Sequence, residues 1–210
     1  MTGPTSGGGS LDPDTFRRLY HDAPDPWGLE GSWYEERKRA CVLAALPEPR
    51  YARAYEPGCA NGALSALLTA RCDELRCSDV AAEALAATRA RLAGRSGVRV
   101  EEGSVLDPWP AGPFDLVVVG ELAYYFAADD RARLWRSAVD ALAPGGTLLA
   151  VHWVRAAPEH PTTGDTVHDE LRRVGGLEPL AEHREADFRL DVHVRVPPRA
   201  RSVAERTGLR

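Results

Sequence analysis

EPGCANGALSALLTARCDELRCSDV, Glu56 to Val80, follows a short strand-like run, ARAYE, and holds in order a glycine turn, an apolar helical segment and a second strand ending on Asp79. In open α/β sheets ligands bind beyond the C-terminal ends of the strands, where strand order reverses. Glu56 to Gly62 leaves the first strand at such a place. Gly58 permits a sharp turn, and Gly62 lets the next helix start close to a ligand whose polar groups the backbone amides can meet. Asp79 leaves the second strand and can accept hydrogen bonds from a ribose diol. Together they point to a nucleoside-bearing ligand.

Working outward, ALSALLTARC reads as the helix after the first strand and ELRCSD as the second strand. AAEALAATRARLAG follows as a helix with Leu85, Thr88 and Leu92 on one face and Gly94 as its stop. VRVEEG and FDLVVVG are the third and fourth strands, DDRARLWRSAVDAL a helix, and GTLLAVHWV the fifth strand. Strands four and five are nearly continuous apolar runs, as in strands covered on both faces, so the sheet is expected to be largely parallel with helices on each side. LEPLAEHREADFRLDVHVRV supplies two alternating segments that suit a closing antiparallel pair. Upstream, DPDTFRRLY is a short amphipathic helix, HDAPDPWGLEG a loop, and SWYEERKRACVLAAL a helix capped by Ser32 and ended by Pro47. The expected organisation is a disordered Gly/Ser-rich segment over 1–10 and a single α/β domain over 11–196. Within that domain 11–46 form a helical lid and 51–196 a Rossmann-like core. A basic, solvated tail occupies 197–210.

The chain has 210 residues, enough for one domain that buries about 70% of its unfolded surface. A net charge of −5 argues against a broad nucleic-acid footprint. Cys41, Cys59, Cys72 and Cys77 form no CxxC pair and read as reduced thiols. No apolar run approaches the ~20 residues of a membrane span, and MTGPTSGGGS lacks the features of a signal peptide. A soluble, cytoplasmic protein is expected. Lys38 is the only lysine, which excludes a P-loop and leaves one residue for a pyridoxal-phosphate Schiff base. The six histidines lack metal-ligand spacing and no thiol cluster joins them, so no metal is expected.

The dinucleotide fingerprint needs a middle glycine for close approach of a pyrophosphate, where this turn has Ala60 and opens with Glu56. A carboxylate repels a pyrophosphate but stabilises the ammonium of a methionine moiety. The residues therefore favour S-adenosylmethionine over a nicotinamide dinucleotide.

DPWGLEGSWYEERKRA, YEPGCANG, CSDV, FDLVVVGELAYYF, ALAPGGTLLAVHW and TGDTVH together resemble the class I S-adenosylmethionine-dependent methyltransferases, and among them the nodulation-protein-S-like family. The resemblance runs roughly from Leu11 to Val196. It implies a cofactor site of Trp27, Tyr34, Lys38, Glu56, Gly58, Asn61, Gly62, Asp79, Val80, Ser104, Val105, Gly120 and Glu121. Glu56, Gly58, Asn61 and Gly62 would hold the methionine part, Asp79 the ribose, and Lys38 the cofactor's carboxylate or else a neighbouring acid such as Glu35. Ser104 stands where many relatives carry an Asp toward the adenine amine. Tyr124, Tyr125, His152, Trp153 and His168 would face the acceptor, with Glu121, Tyr124 and His152 as the groups able to receive or orient a proton. His168 is expected at a helix start and His152 near the end of strand five. The family's founding activity is N-methylation, and its members stand alone or fused to deacetylases of N-acetylated sugars. This implies an amino sugar or small amine as acceptor, S-adenosylhomocysteine as product and functional pairing with a deacetylase. An O-methyltransferase of a specialised metabolite and a non-catalytic cofactor-binding protein are the alternatives.

Overall fold

A computed structural model describes residues 9–210. The elements run α1 (Pro13–Asp22), α2 (Trp33–Ala45), β1 (Tyr51–Pro57), α3 (Ala63–Leu68), β2 (Cys72–Asp79), α4 (Ala82–Arg91), β3 (Val98–Glu102) and β4 (Phe114–Gly120). A 3₁₀ turn (Ala123–Tyr125), α5 (Ala128–Ala141), β5 (Leu142–Trp153), α6 (Gly164–Leu171), β6 (Leu177–Arg184), β7 (Phe188–Arg195) and α7 (Val203–Arg206) complete the chain. Seven strands form one sheet in the order β3-β2-β1-β4-β5-β7-β6, parallel except for β7, which is antiparallel to both neighbours. This is the Rossmann-like class I methyltransferase arrangement. Strand order reverses between β1 and β4, so the glycine turn after β1 lies at the switch point.

Local sequence explains most boundaries. Asp12 caps α1 by accepting from the Asp14 N–H, with Pro13 at the position where a missing N–H costs nothing. Ser32 caps α2. FDLVVVG is buried nearly throughout because helices cover both faces of β4. Two apolar clusters result, one on each face, around Leu116, Val118 and Leu149 and around Val117, Val119 and Leu148.

Several boundaries differ from the sequence pattern. α3 stops at Leu68, because Cys72 already pairs in the sheet. α4 ends at Arg91, and Gly94 (φ +78°) serves the turn beyond it. β5 begins at Leu142, since LAPGG forms a bulge between the Phe114–Leu142 and Leu116–Thr147 pairs. Both faces of β7 are buried despite its alternating pattern, because α6 covers the polar one. The tail folds into α7, closed by a Ser202–Glu205 capping box, and Arg206 pairs with Glu48. Residues 1–8 of the expected disordered segment lie outside the described residues. Ser10, the last of that segment, is held: its Oγ accepts the Ala127 N–H and donates to Asp130 at the start of α5. Among the described residues no helix is long and apolar enough to cross a membrane.

Candidate active site

A crevice of about 460 Å³ lies at the C-terminal ends of β1, β2, β4 and β5, beneath α1, α2 and the loop between them. Glu56 and Asp79 leave neighbouring strands and both face it. Glu56 is buried, accepts the Ser65 hydroxyl at 2.5 Å and has no cationic partner among the described residues. Burial pushes its carboxyl up to about 7, against the opposing effect of Ser65. Asp79 accepts the Ala60 N–H on one oxygen and the Ala81 N–H on the other, each at 3.0 Å. Burial raises its pKa in spite of these bonds. A carboxylate oxygen accepts about two hydrogen bonds, so each keeps capacity for a ligand.

The turn serves its own architecture more than a ligand. The Gly58 and Cys59 amides donate to Ser78 O, the Ala60 amide to Asp79 and the Gly62 amide to Cys59 O. Four of the turn's amides are thus already committed within the fold. Gly62 (φ +75°) does not line the crevice; a Cβ there would stand 2.9 Å from Thr88 Oγ1, so the glycine is required for the approach of α4. Asn61 lines the crevice, but its Oδ1 caps α3 at Ala63 and its Nδ2 reaches Glu30 of the lid at 3.4 Å. Glu30 also pairs with Arg91, whose Nε donates to Asn61 O. Val80, Ser104 and Val105 line the neighbouring wall, where Ser104 Oγ accepts the Leu106 N–H.

Glu121 follows Gly120 with φ +51°, a left-handed conformation that costs a non-glycine residue roughly 1–2 kcal/mol. Three donors hold it there: Lys38 Nζ at 2.5 Å, the Tyr124 hydroxyl at 2.6 Å and the Trp153 N–H at 2.9 Å. Lys38 also binds Glu35 at 2.7 Å, so the neighbouring-acid alternative is present together with Glu121. Burial alone would lower the Lys38 ammonium, but the two carboxylates outweigh it and its pKa is raised. Arg39, which sequence reasoning passed over, also lines the crevice, with Leu29 O at 3.0 Å and Glu35 at 3.7 Å.

Trp27 packs edge-on against Tyr20, and Tyr34 against Trp153; all four line the crevice. Tyr125 meets Phe16 of α1 edge-on at 5.0 Å, and Tyr124 stacks on His160 at 3.9 Å. His160 is a crevice residue of the β5–α6 loop that no periodicity or motif marks. Three crevice-lining polar atoms are buried without a hydrogen-bond partner: Tyr20 Oη, Tyr34 Oη and His160 Nδ1. Leaving such a group unmet costs about 1–3 kcal/mol. With the unpaired Glu56, they fit a crevice built around a polar, cation-bearing ligand.

His152 and His168 do not belong to this crevice, which corrects their expected catalytic and acceptor-binding roles. Side chains alternate along a strand, so Val151 and Trp153 reach the crevice and His152 points away. His152 Nε2 accepts the Ala123 N–H, its Nδ1 faces His168 Nε2 at 3.2 Å, and His168 Nδ1 lies 3.1 Å from Asp191, off the axis of an ideal hydrogen bond. Burial holds the His152 pKa well below the usual imidazole value. A buried imidazole between a backbone amide and a second imidazole has no route to an acceptor. His168 lies in the second half of α6, not at its start. Elsewhere, folding brings Cys41, His183 and Glu185 within 4.8 Å of one another, a grouping the sequence spacing did not indicate. Arg37 already occupies Glu185 at 2.6 Å.

Residues 13–152 match the model of the family described as nodulation protein S. A nodulation protein S of Rhizobium tropici is 33% identical over 140 residues, 65% of this chain and 59% of that protein. The chain spans about three fifths of the length of the curated relatives it matches. A chain from Pseudomonas syringae, solved as a candidate methyltransferase, is 45% identical with a TM-score of 0.70, over 78% of this chain and 100% of that one. The N-methyltransferase NodS from Bradyrhizobium japonicum WM9, solved in complex with S-adenosyl-L-homocysteine, is 25% identical with a TM-score of 0.77, over 87% and 97%.

Proposed function

The chain belongs to the nodulation protein S family, and on that premise we propose that it is an S-adenosylmethionine-dependent N-methyltransferase acting on a free amine of a sugar or small metabolite. The observation that carries this reading is the pair of buried carboxylates, Glu56 and Asp79, facing one crevice with no ion-pair partner for either among the described residues. Glu56 would hold the cofactor's ammonium and Asp79 the ribose hydroxyls, while Val80, Ser104 and Val105 line the place of the base. Lys38 is committed to Glu35 and Glu121, which leaves Arg39 as the cation better able to meet the cofactor's carboxylate.

Bound there, the cofactor supplies a sulfonium methyl that an acceptor lone pair takes in line, forming a C–N bond as the C–S bond breaks and its electron pair stays on sulfur. The chain's part is alignment, worth up to ~7–11 kcal/mol, and exclusion of water by the lid. Glu121 and Tyr124 orient the acceptor, with Tyr125 and Trp153 forming the wall around it. An upstream N-deacetylation would supply the free amine, which is the reaction class a paired deacetylase performs. An O-methyltransferase would need a base in the crevice; His152 does not fill that role from its position, and His160 is the imidazole that lines the crevice.

Calorimetric titration with S-adenosylhomocysteine tests the cofactor reading, with Asp79→Ala as control. Micromolar binding weakened about 100-fold in the variant is expected, since two charged hydrogen bonds are lost. No binding by the folded wild-type protein sinks it. The acceptor reading fails if glucosamine and N-acetylglucosamine are methylated equally.

A further inference from the structure

We infer that His160, through Nδ1, is a hydrogen-bond acceptor for the amine that is methylated. The inference rests on the proposed function and names a residue that none of the sequence motifs includes.

His160 sits in the β5–α6 loop, directly after Glu159, and its side chain is 7% exposed. Its ring lies flat on Tyr124 (3.9 Å between centroids, 14° between planes) and edge-on to Tyr125 (4.9 Å, 87°). The two tyrosines therefore fix the ring plane. Nδ1 is buried in a residue that lines the crevice, and it meets no donor among the described residues. The other ring nitrogen, Nε2, lies 4.0 Å from the Glu159 carboxylate, too far for a hydrogen bond but near enough for its charge to favour a proton on Nε2 over one on Nδ1. The titratable groups around the ring are Glu159 in its own loop, Glu121, Tyr124 and Tyr125 across the crevice, and His152 behind the tyrosines. Burial outweighs the two glutamates and lowers the imidazole pKa. The ring is thus neutral where an amine acceptor is deprotonated.

An amine attacking in line must point its lone pair at the methyl carbon, so its N–H groups turn away and need acceptors. Glu121 Oε2 already takes two donors and Oε1 takes Lys38, which leaves one site on Oε1, and Tyr124 spends its proton on Glu121. His160 Nδ1 is a second acceptor on this side, committed to no protein donor among the described residues. It orients the nucleophile; the proton shed after transfer leaves with solvent.

Two substitutions separate hydrogen bonding from packing. Asn carries its carbonyl oxygen near the position of Nδ1, whereas Phe keeps the stack on Tyr124 and removes the acceptor. With S-adenosylmethionine and glucosamine, His160→Phe is expected to lower kcat about 10²–10³-fold, leave S-adenosylhomocysteine affinity unchanged, and be largely restored in His160→Asn. Wild-type kcat in the Phe variant, or equal loss in both variants, overturns the inference. The tautomer is read independently from ¹⁵N–¹H imidazole spectra of the wild-type protein: an Nε2–H tautomer sustains the inference and an Nδ1–H tautomer overturns it. If the protein binds S-adenosylhomocysteine yet methylates no amine, the functional reading has failed, and the tautomer still judges His160 by itself.

Discussion

At the scale of single residues, Glu56 joins charge, burial and ligand. With a pKa of about 7 the carboxyl is about half protonated at neutral pH, and on the proposed function the cofactor's ammonium would displace that proton. S-adenosylhomocysteine should therefore bind about tenfold more weakly for each pH unit below 7, with proton release seen by titration in buffers of different ionisation enthalpy. Glu56→Gln should bind weakly and without that slope. The same shift acts on folding. A carboxyl raised from 4.5 in the unfolded chain to about 7 when folded contributes stability that is fully present below 4.5 and lost as pH rises to 7. Relative to wild type, Glu56→Gln should gain on the order of 3 kcal/mol across that window in urea unfolding. The placement of this residue at the crevice was legible from its position before the glycine turn. The function of Gly62 was not: glycine signals an unusual backbone, and only packing reveals that the space serves Thr88 instead of a ligand.

At the scale of elements, β7 shows how an alternating pattern can be buried on both faces. Phe188, Leu190, Val192 and Val194 enter an apolar cluster or its margin, while Arg189, Asp191 and His193 turn toward α6. Arg189 contacts Asp169 at 2.9 Å, Asp191 at 3.1 Å and Glu182 at 3.4 Å. Removing one partner of a buried pair leaves the other uncompensated, so Asp191→Ala should cost ~3–5 kcal/mol in chemical denaturation. S-adenosylhomocysteine affinity, measured where the variant is folded, should remain near wild type because β7 does not reach the crevice. The strands and most helices were readable from periodicity and caps. The roles of His152 and His168 were misread because polar residues at the end of a parallel strand commonly face a ligand. Strand parity held the corrective signal: Trp153 and His152 are neighbours in β5 and cannot both face the crevice. His160 had no such signal, since a loop has no period from which to infer where a side chain points.

At the scale of the molecule, a broad sheet presents one crevice and two helices cover it. The end of α2 is anchored by Val42 and Leu46 in the apolar cluster, and the rest of the lid is tied by Arg17 to Val80 O, Glu30 to Arg91 and Asn61, Lys38 to Glu121 and Arg37 to Glu185. Arg17 and Arg37 are about half exposed, and ties of that kind contribute little individually. Local opening of the lid up to that anchor should thus precede global unfolding, and S-adenosylhomocysteine should slow amide exchange in α1 and α2 more than in β4 or β5; equal slowing throughout would show that the lid does not open by itself. Glu121 belongs to this scale as well, because one carboxylate joins the lid through Lys38, β5 through Trp153 and the acceptor wall through Tyr124. On the proposed function, a cofactor that moves this carboxylate would alter the wall that the acceptor meets. Reciprocity then follows from thermodynamics: whatever factor one ligand applies to the affinity of the other, the second applies to the first.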